Sequence, residues 1–365
     1  MIWKKPRHCV TPQYPCRQRD NGHQAGDLPT SCDHRVQREQ VTFIAKPLEM
    51  GGGFLSGDSS SIRSGRWFRP RRLALSVFIM LIASKLAGGQ SPCIPPWIAD
   101  FYGHHRIVSN ITYKKIGSRE LKLDVYQRTD VRGPAPTVFY VHGGAWVHGS
   151  PVSDLDMMLP WMALGWSLVS IEYRLSGEAP APAAIVDCRA ALRWVASNAS
   201  TYQFDLKRLI ICGTSAGGEL ALMTALAPAS AELDGEAMNV PLPQAIALVN
   251  FSPIIDVREF LQGPPHKIVS EWVGDGPDGE EMARRVSPIH YVRPGLPPVF
   301  TVFGDKDPSY SQAVRFHQAL AAAGVVNQLY TVPGGGHGGY SHEQSIGLFN
   351  GLCAFLEQHH LSAGK

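Results

Sequence analysis

This chain of 365 residues has no CxxC pair and no cysteine spacing of the kind that binds a metal, although it holds seven cysteines. That excludes a zinc-ribbon or dithiol-redox reading. Three of the seven, Cys9, Cys16 and Cys32, fall in an atypical N-terminal segment, and a disulfide pattern cannot be read from their positions. Cys212 stands inside an apolar run, where a buried, inert thiol is expected. An extended basic stretch is also missing from the bulk of the chain. The net charge is +3, but residues 1–72 hold 13 basic and 6 acidic residues, leaving 21 basic against 25 acidic in residues 73–365. Nothing in that larger part argues for a nucleic acid or an anionic lipid surface as partner. No internal repeat is present. The apolar run Leu73–Ala83 is only about eleven residues long and is followed by Lys85, which is too short to span a bilayer.

What is there begins with an unusual first quarter. Residues 1–72 are rich in Pro, Gly, Ser, Arg and His without a sustained period, and read as a disordered or non-native extension. Arg69, Arg71 and Arg72 then precede the apolar run, and Ala87, Gly88 and Gly89 follow it. Residues 73–89 therefore read as a secretory signal with cleavage near Gly89, which would make the mature protein secreted or periplasmic. Seventy residues ahead of the apolar run are too many for such a signal, so Met50 is the better initiator. A retained membrane anchor is the alternative; otherwise the membrane is a partner only during export.

From about residue 107 strands and helices alternate. Leu121–Tyr126 alternates with period two, as a half-buried strand does. Pro136–Val141, Trp166–Tyr173, Arg208–Cys212, Ala245–Val249, Pro298–Phe303 and Asn327–Val332 read as further strands. Ala183–Asn198, Ala216–Leu226, Ser311–Ala323 and Glu343–Leu356 read as helices. This order predicts an α/β fold over residues 90–365, with a mostly parallel, eight-stranded sheet, an antiparallel start and helices on both faces. Residues 255–287, with Gly-Pro-Pro and Trp272, break the rhythm and read as a small cap insertion.

Between a strand and a helix stands Gly213-Thr214-Ser215-Ala216-Gly217, a G-x-S-x-G pattern. A serine on such a sharp turn projects its hydroxyl above the carboxyl edge of the sheet, which makes Ser215 the candidate nucleophile. Upstream, His142-Gly143-Gly144-Ala145-Trp146 follows a buried strand. The amides of Gly143 and Gly144, with that of Ala216, are the candidate oxyanion donors, and Trp146 a candidate pocket residue. His142 reads as a residue that holds the turn. A serine nucleophile needs a base and the base needs a carboxylate, in the chain order Ser, acid, His for this arrangement. Gly304-Asp305-Lys306-Asp307 and Gly336-His337-Gly338 each follow a strand. His337 is the candidate base. Asp307 is favoured as the acid over Asp305, which suits a turn. His342, His359 and His360 read as surface residues.

These motifs, in this order, resemble the α/β-hydrolase esterases of the hormone-sensitive-lipase and carboxylesterase group, with the bacterial feruloyl/acetyl-esterase-like (BD-FAE-type) branch the better match. Glu172-Tyr173-Arg174-Leu175, Pro182-Ala183-Ala184 before Asp187, and Arg193-Trp194-Val195 carry the likeness further. The resemblance implies Ser215, Asp307 and His337 as a catalytic triad, no cofactor and no metal, and packing roles for Tyr173 and Asp187. Ala145 replaces the third glycine of the wider group's motif, so esters of tertiary alcohols are not expected substrates. The implied activity is hydrolysis of carboxylic esters through an acyl-serine. The modest cap and Trp146 point to small acyl groups, acetyl or feruloyl esters of polysaccharide among them. An amide hydrolase and a non-catalytic binding protein of the same fold are the alternatives. The oligomeric state is not legible.

Overall fold

Val138 and Tyr140 pack into one helical layer, while Phe139 and Val141 pack into the opposite one. A strand with both faces buried needs helices on both sides of its sheet, and that is what the chain builds. The computed structural model describes residues 103–362 apart from 238–239 and 263–264. The extension over 1–72, the segment 73–89, and Cys9, Cys16, Cys32 and Cys93 lie outside the described residues. Among the described residues no helix is long and apolar enough to cross a membrane.

The strands are β1 (His105–Ile116), β2 (Arg119–Arg128), β3 (Ala135–Val141), β4 (Ser167–Ile171), β5 (Phe204–Thr214), β6 (Ala247–Phe251), β7 (Val299–Gly304) and β8 (Asn327–Val332). They form one eight-stranded sheet in the order β1-β2-β4-β3-β5-β6-β7-β8. β2 is antiparallel to β1 and to β4, and the six strands from β4 to β8 run parallel. The expected α/β class, strand number and antiparallel start all hold.

Seven helices matter here: α1 (Leu155–Ala163), α2 (Ala183–Ser197), α3 (Ala216–Leu226), α4 (His266–Val273), α5 (Gly276–Arg285), α6 (Tyr310–Ala322) and α7 (His342–Gln358). Met158, Trp161 and Met162 of α1 and Leu348, Leu352 and Phe355 of α7 cover one face. Ile185 and Leu192 of α2, Leu220 and Met223 of α3, and Phe316 and Leu320 of α6 cover the other. α3 lies deepest: ten of its eleven residues are buried, so it is apolar nearly all round. The helix α1 was not anticipated, because Pro160 interrupts its apolar period.

Between β6 and β7 the chain leaves the sheet and forms α4 and α5 with flanking 3-10 turns at Val257–Phe260 and Pro288–Tyr291. Its root is pinned by buried Gln312 of α6, whose Oε1 accepts from the amides of Ile255 and Asp256 at 3.1 and 3.0 Å. β3 has β4 on one side and β5 on the other, so chain direction across the sheet reverses there. The crevice beyond the carboxyl ends of such a strand pair is where open α/β sheets place ligands.

Candidate active site

Ser215 terminates β5 and precedes α3 with φ 53° and ψ −122°, a backbone conformation side chains rarely adopt. Its neighbours must be glycine for steric reasons. A Cβ at Gly213 would lie 2.3 Å from the carbonyl oxygen of Gly217, and one at Gly217 would lie 2.2 Å from that of His142. Strain of this kind persists only where surrounding contacts over-determine it. Here the Ser215 amide is fastened to the Phe251 carbonyl at 2.8 Å. Ser215 occupies the N-cap of α3, yet its hydroxyl makes no capping bond. Instead Oγ lies 2.8 Å from Nε2 of His337.

His337 comes from the loop after β8, and its Nδ1 lies 2.7 Å from Oδ2 of Asp307 in the loop after β7. The Asp307 side chain is fully buried, while that of His337 is 43% exposed and open to a substrate. Asp307 also accepts the Ser309 amide at 2.8 Å. Burial would push its carboxyl up, but the hydrogen bonds from His337 and Ser309 outweigh this and hold it below the usual carboxylate range. Asp305 serves a structural purpose. It is exposed, and its Oδ1 accepts the Gly334 amide at 2.8 Å, bracing the two loops. Three loops distant in sequence thus converge because β5, β7 and β8 are parallel and end at one edge.

The turn after β3 corrects one expectation. The amide of Gly143 donates to Oδ2 of Asp154 at 2.9 Å, so it is committed within the protein and is not a free donor for substrate. Ala145, not singled out from the sequence as a donor, lines the cavity with Ser215 and Ala216. His142 is buried, stacks on Tyr173 at 4.4 Å between ring centroids, and does not bond Ser215. Tyr173 donates to the His142 carbonyl at 3.0 Å. Asp187, its side chain fully buried, receives Lys114 and Arg174, each at 2.7 Å. His342 and His360 are exposed.

A cavity of about 270 Å³ opens beside Ser215, His337 and Asp307, walled by Trp146, Ile254, Phe260, Ile268 and Val269. Residues of the β6–β7 insertion thus form much of its apolar side. Trp146 is held twice: it stacks on Trp272 of α4 at 4.2 Å, and its Nε1 donates to Oε2 of Glu219 at 3.0 Å. Glu219 is fully buried in α3, and its Oε1 has no partner. Burial pushes this carboxyl well above the usual range, against the smaller effect of the Trp146 bond. Sequence reasoning missed Glu219, although a lone acid inside an apolar helix is a signal that could have found it. Among the described residues no cluster of three His, Cys, Asp or Glu side chains could hold a metal ion.

A carboxyl whose pKa is raised on folding stabilises the fold fully below its unfolded value of about 4.3 and loses that contribution as pH climbs through the folded one. Thermal stability should therefore decline as pH is raised from 5 to 9, and Glu219→Gln should flatten the decline while keeping an acceptor for Trp146. Glu219→Ala should cost about 2–4 kcal/mol, since it leaves a cavity and an unpaired indole N–H. Melting curves across that pH range for the three proteins check both.

The BD-FAE family model matches residues 123–320 of the chain. Esterase LipQ of Mycobacterium tuberculosis is 31% identical over 59% of this chain and 53% of its own length. Carboxylesterase NlhH of the same organism is 32% identical over 61% of this chain and 72% of its own. The chain spans about half the length of LipQ and of LipC, another esterase of that organism. Among solved structures, the propionate-bound thermophilic esterase Est2 of Thermogutta terrifontis superposes with a TM-score of 0.60 and 25% identity, over 74% of this chain and 100% of that one. The same esterase has been seen phosphonylated by sarin, again with a TM-score of 0.60 and 25% identity to this chain, over 70% of this chain and 96% of that one.

Proposed function

This chain belongs to the BD-FAE family of α/β-hydrolases, and we propose on that premise that it hydrolyses carboxylic esters of small acyl groups through an acyl-serine intermediate. The observation that carries the reading is the unbroken relay from Ser215 Oγ to His337 Nε2, 2.8 Å, and from His337 Nδ1 to Asp307, 2.7 Å. His337 takes the hydroxyl proton as Ser215 attacks the ester carbonyl, and Asp307 orients the imidazolium that forms. The tetrahedral oxyanion is met by the amides of Gly144, Ala145 and Ala216. His337 returns the proton to the departing alcohol. Water, deprotonated by the same imidazole, then releases the acid.

The size of the acyl group follows from the cavity. At about 270 Å³ it falls below the roughly 300–1,000 Å³ of ligand pockets in general, and its wall is apolar. Relatives support the same range, since Est2 has been seen with propionate and with butyrate. An acetyl group on a carbohydrate fits this reading, because the alcohol would lie outside the cavity, toward the exposed edge of His337. Export through the 73–89 segment belongs to the same proposal and is supported by its basic flank and apolar run. N-terminal sequencing of the exported protein tests it.

The activity is tested with p-nitrophenyl esters of graded chain length, run beside the matching anilides. The expected profile peaks at two to four acyl carbons and drops by about tenfold or more at eight, with anilides far slower. A paraoxon-type phosphoester should inactivate one site per chain. Anilide turnover above ester turnover, or a profile rising to long chains, would overturn the assignment.

A further inference from the structure

We propose that Asp154 is a positioning residue for the oxyanion site: its carboxylate clamps the amide of Gly143 and thereby orients the two amides that follow. The inference rests on the ester-hydrolase reading above. Asp154 stands at the N-cap of α1, where an aspartate ordinarily accepts an amide of its own helix. It makes no such bond. Its Oδ2 reaches eleven residues back to the Gly143 amide at 2.9 Å, and also accepts the Tyr140 hydroxyl at 3.2 Å. One carboxylate oxygen that accepts from both the Gly143 amide and the Tyr140 hydroxyl ties two segments together, which suits an anchor.

Successive peptides in this turn are fixed one by one. Asp154 holds the N–H of Gly143. His142 Nδ1 donates to the Gly143 carbonyl at 2.7 Å. In a trans peptide the N–H points opposite to the C=O. The Gly144 amide is therefore turned away from the His142 ring. The Gly144 carbonyl accepts from Val147 and His148 at 3.0 and 3.1 Å, which turns the Ala145 amide outward from the turn in the same way. Without the Asp154 bond, the first peptide of this series is held only at its other end, where the His142 carbonyl accepts the Tyr173 hydroxyl.

The turn needs such an anchor. Ala145 and Trp146 both lie in the left-handed region, with φ 52° and 60°, which two consecutive non-glycine residues do not hold unaided. Trp146 is tied by Glu219 and Trp272, on the cap side. Asp154 is the tie on the other side. Through Tyr140 the same carboxylate is also linked to the residue that precedes the nucleophile. Tyr140 is fully buried, and its hydroxyl lies 2.7 Å from Oγ1 of Thr214, the residue before Ser215. One hydrogen-bonded chain thus runs from the elbow through Tyr140 and Asp154 to the glycine turn, and keeps donors and nucleophile in register.

The test uses the full chain with Asp154→Ala, Asp154→Leu and Asp154→Asn. For p-nitrophenyl acetate, Ala and Leu should lower kcat about 10- to 100-fold with KM within about threefold, as loss of transition-state donors does. Affinity for an acyl trifluoromethyl ketone, whose adduct places an oxyanion in the site, should fall in step with kcat. Asn keeps an acceptor oxygen and should stay within about fivefold of the parent. A folded Ala or Leu variant with unchanged kcat and ketone affinity would overturn the proposal. So would a pair that fails to fold while Asn folds, since that marks a structural brace alone. If the parent protein cleaves no ester at all, the functional reading fails instead, a result told apart at the first assay.

Discussion

Ser215→Ala should lower kcat for a short-chain p-nitrophenyl ester by about 10⁵- to 10⁶-fold, the largest effect expected of any single change in this protein. The residual rate should match what bound donors alone supply, since Gly144, Ala145 and Ala216 remain. The fold should survive. Alanine inherits the same backbone strain at φ 53° but loses only one exposed-side hydrogen bond, that to His337. A melting temperature within a few degrees of the parent, no burst of p-nitrophenol and no mass shift with paraoxon are the readouts. A variant that retains the parent's burst would place the nucleophile elsewhere.

The second large effect is Asp307→Asn, expected to cost about 10⁴-fold in kcat. An amide NH₂ facing Nδ1 forces the imidazole into the opposite tautomer, so Nε2 carries the proton and cannot accept one from Ser215. The wild-type carboxyl is held below the usual range by its bonds to His337 and Ser309, despite its burial. It stays ionised at every pH above about 4, and its contribution is lost only as pH falls through its lowered pKa. A loss of kcat/KM between pH 8 and 5 therefore does not arise from Asp307. Asp305→Asn, which weakens only a loop brace to Gly334, should change kcat by less than about threefold. Reversal of the two effects would exchange the roles of the two aspartates.

Much of this site is legible in the sequence itself. A glycine on each side of Ser215 is demanded by the close approach of His142 and Gly217 backbone, and glycines are plain to see in a sequence. The loops bearing Asp307 and His337 stand out because each follows an apolar run of strand length. The helix α1 does not, since Pro160 breaks its period, and Asp154 is hidden with it. Nothing local marks an aspartate as the partner of an amide eleven residues earlier. Gly143 departs from expectation for a related reason: being glycine tells that an amide is accessible, and says nothing about what already holds it.

Strand and helix order, the serine elbow and the types of residue at the candidate site follow from local pattern: burial on both faces makes apolar strands, and tight turns demand glycine. Those are short-range constraints, written into neighbouring residues. That the Gly143 amide is already bonded, which aspartate meets the imidazole, and how small the cavity beside Ser215 is were decided only when distant segments met. Each of those outcomes depends on a contact between parts of the chain 11 to 122 residues apart, from Gly143–Asp154 to Ser215–His337, and such contacts leave no periodic trace in the sequence.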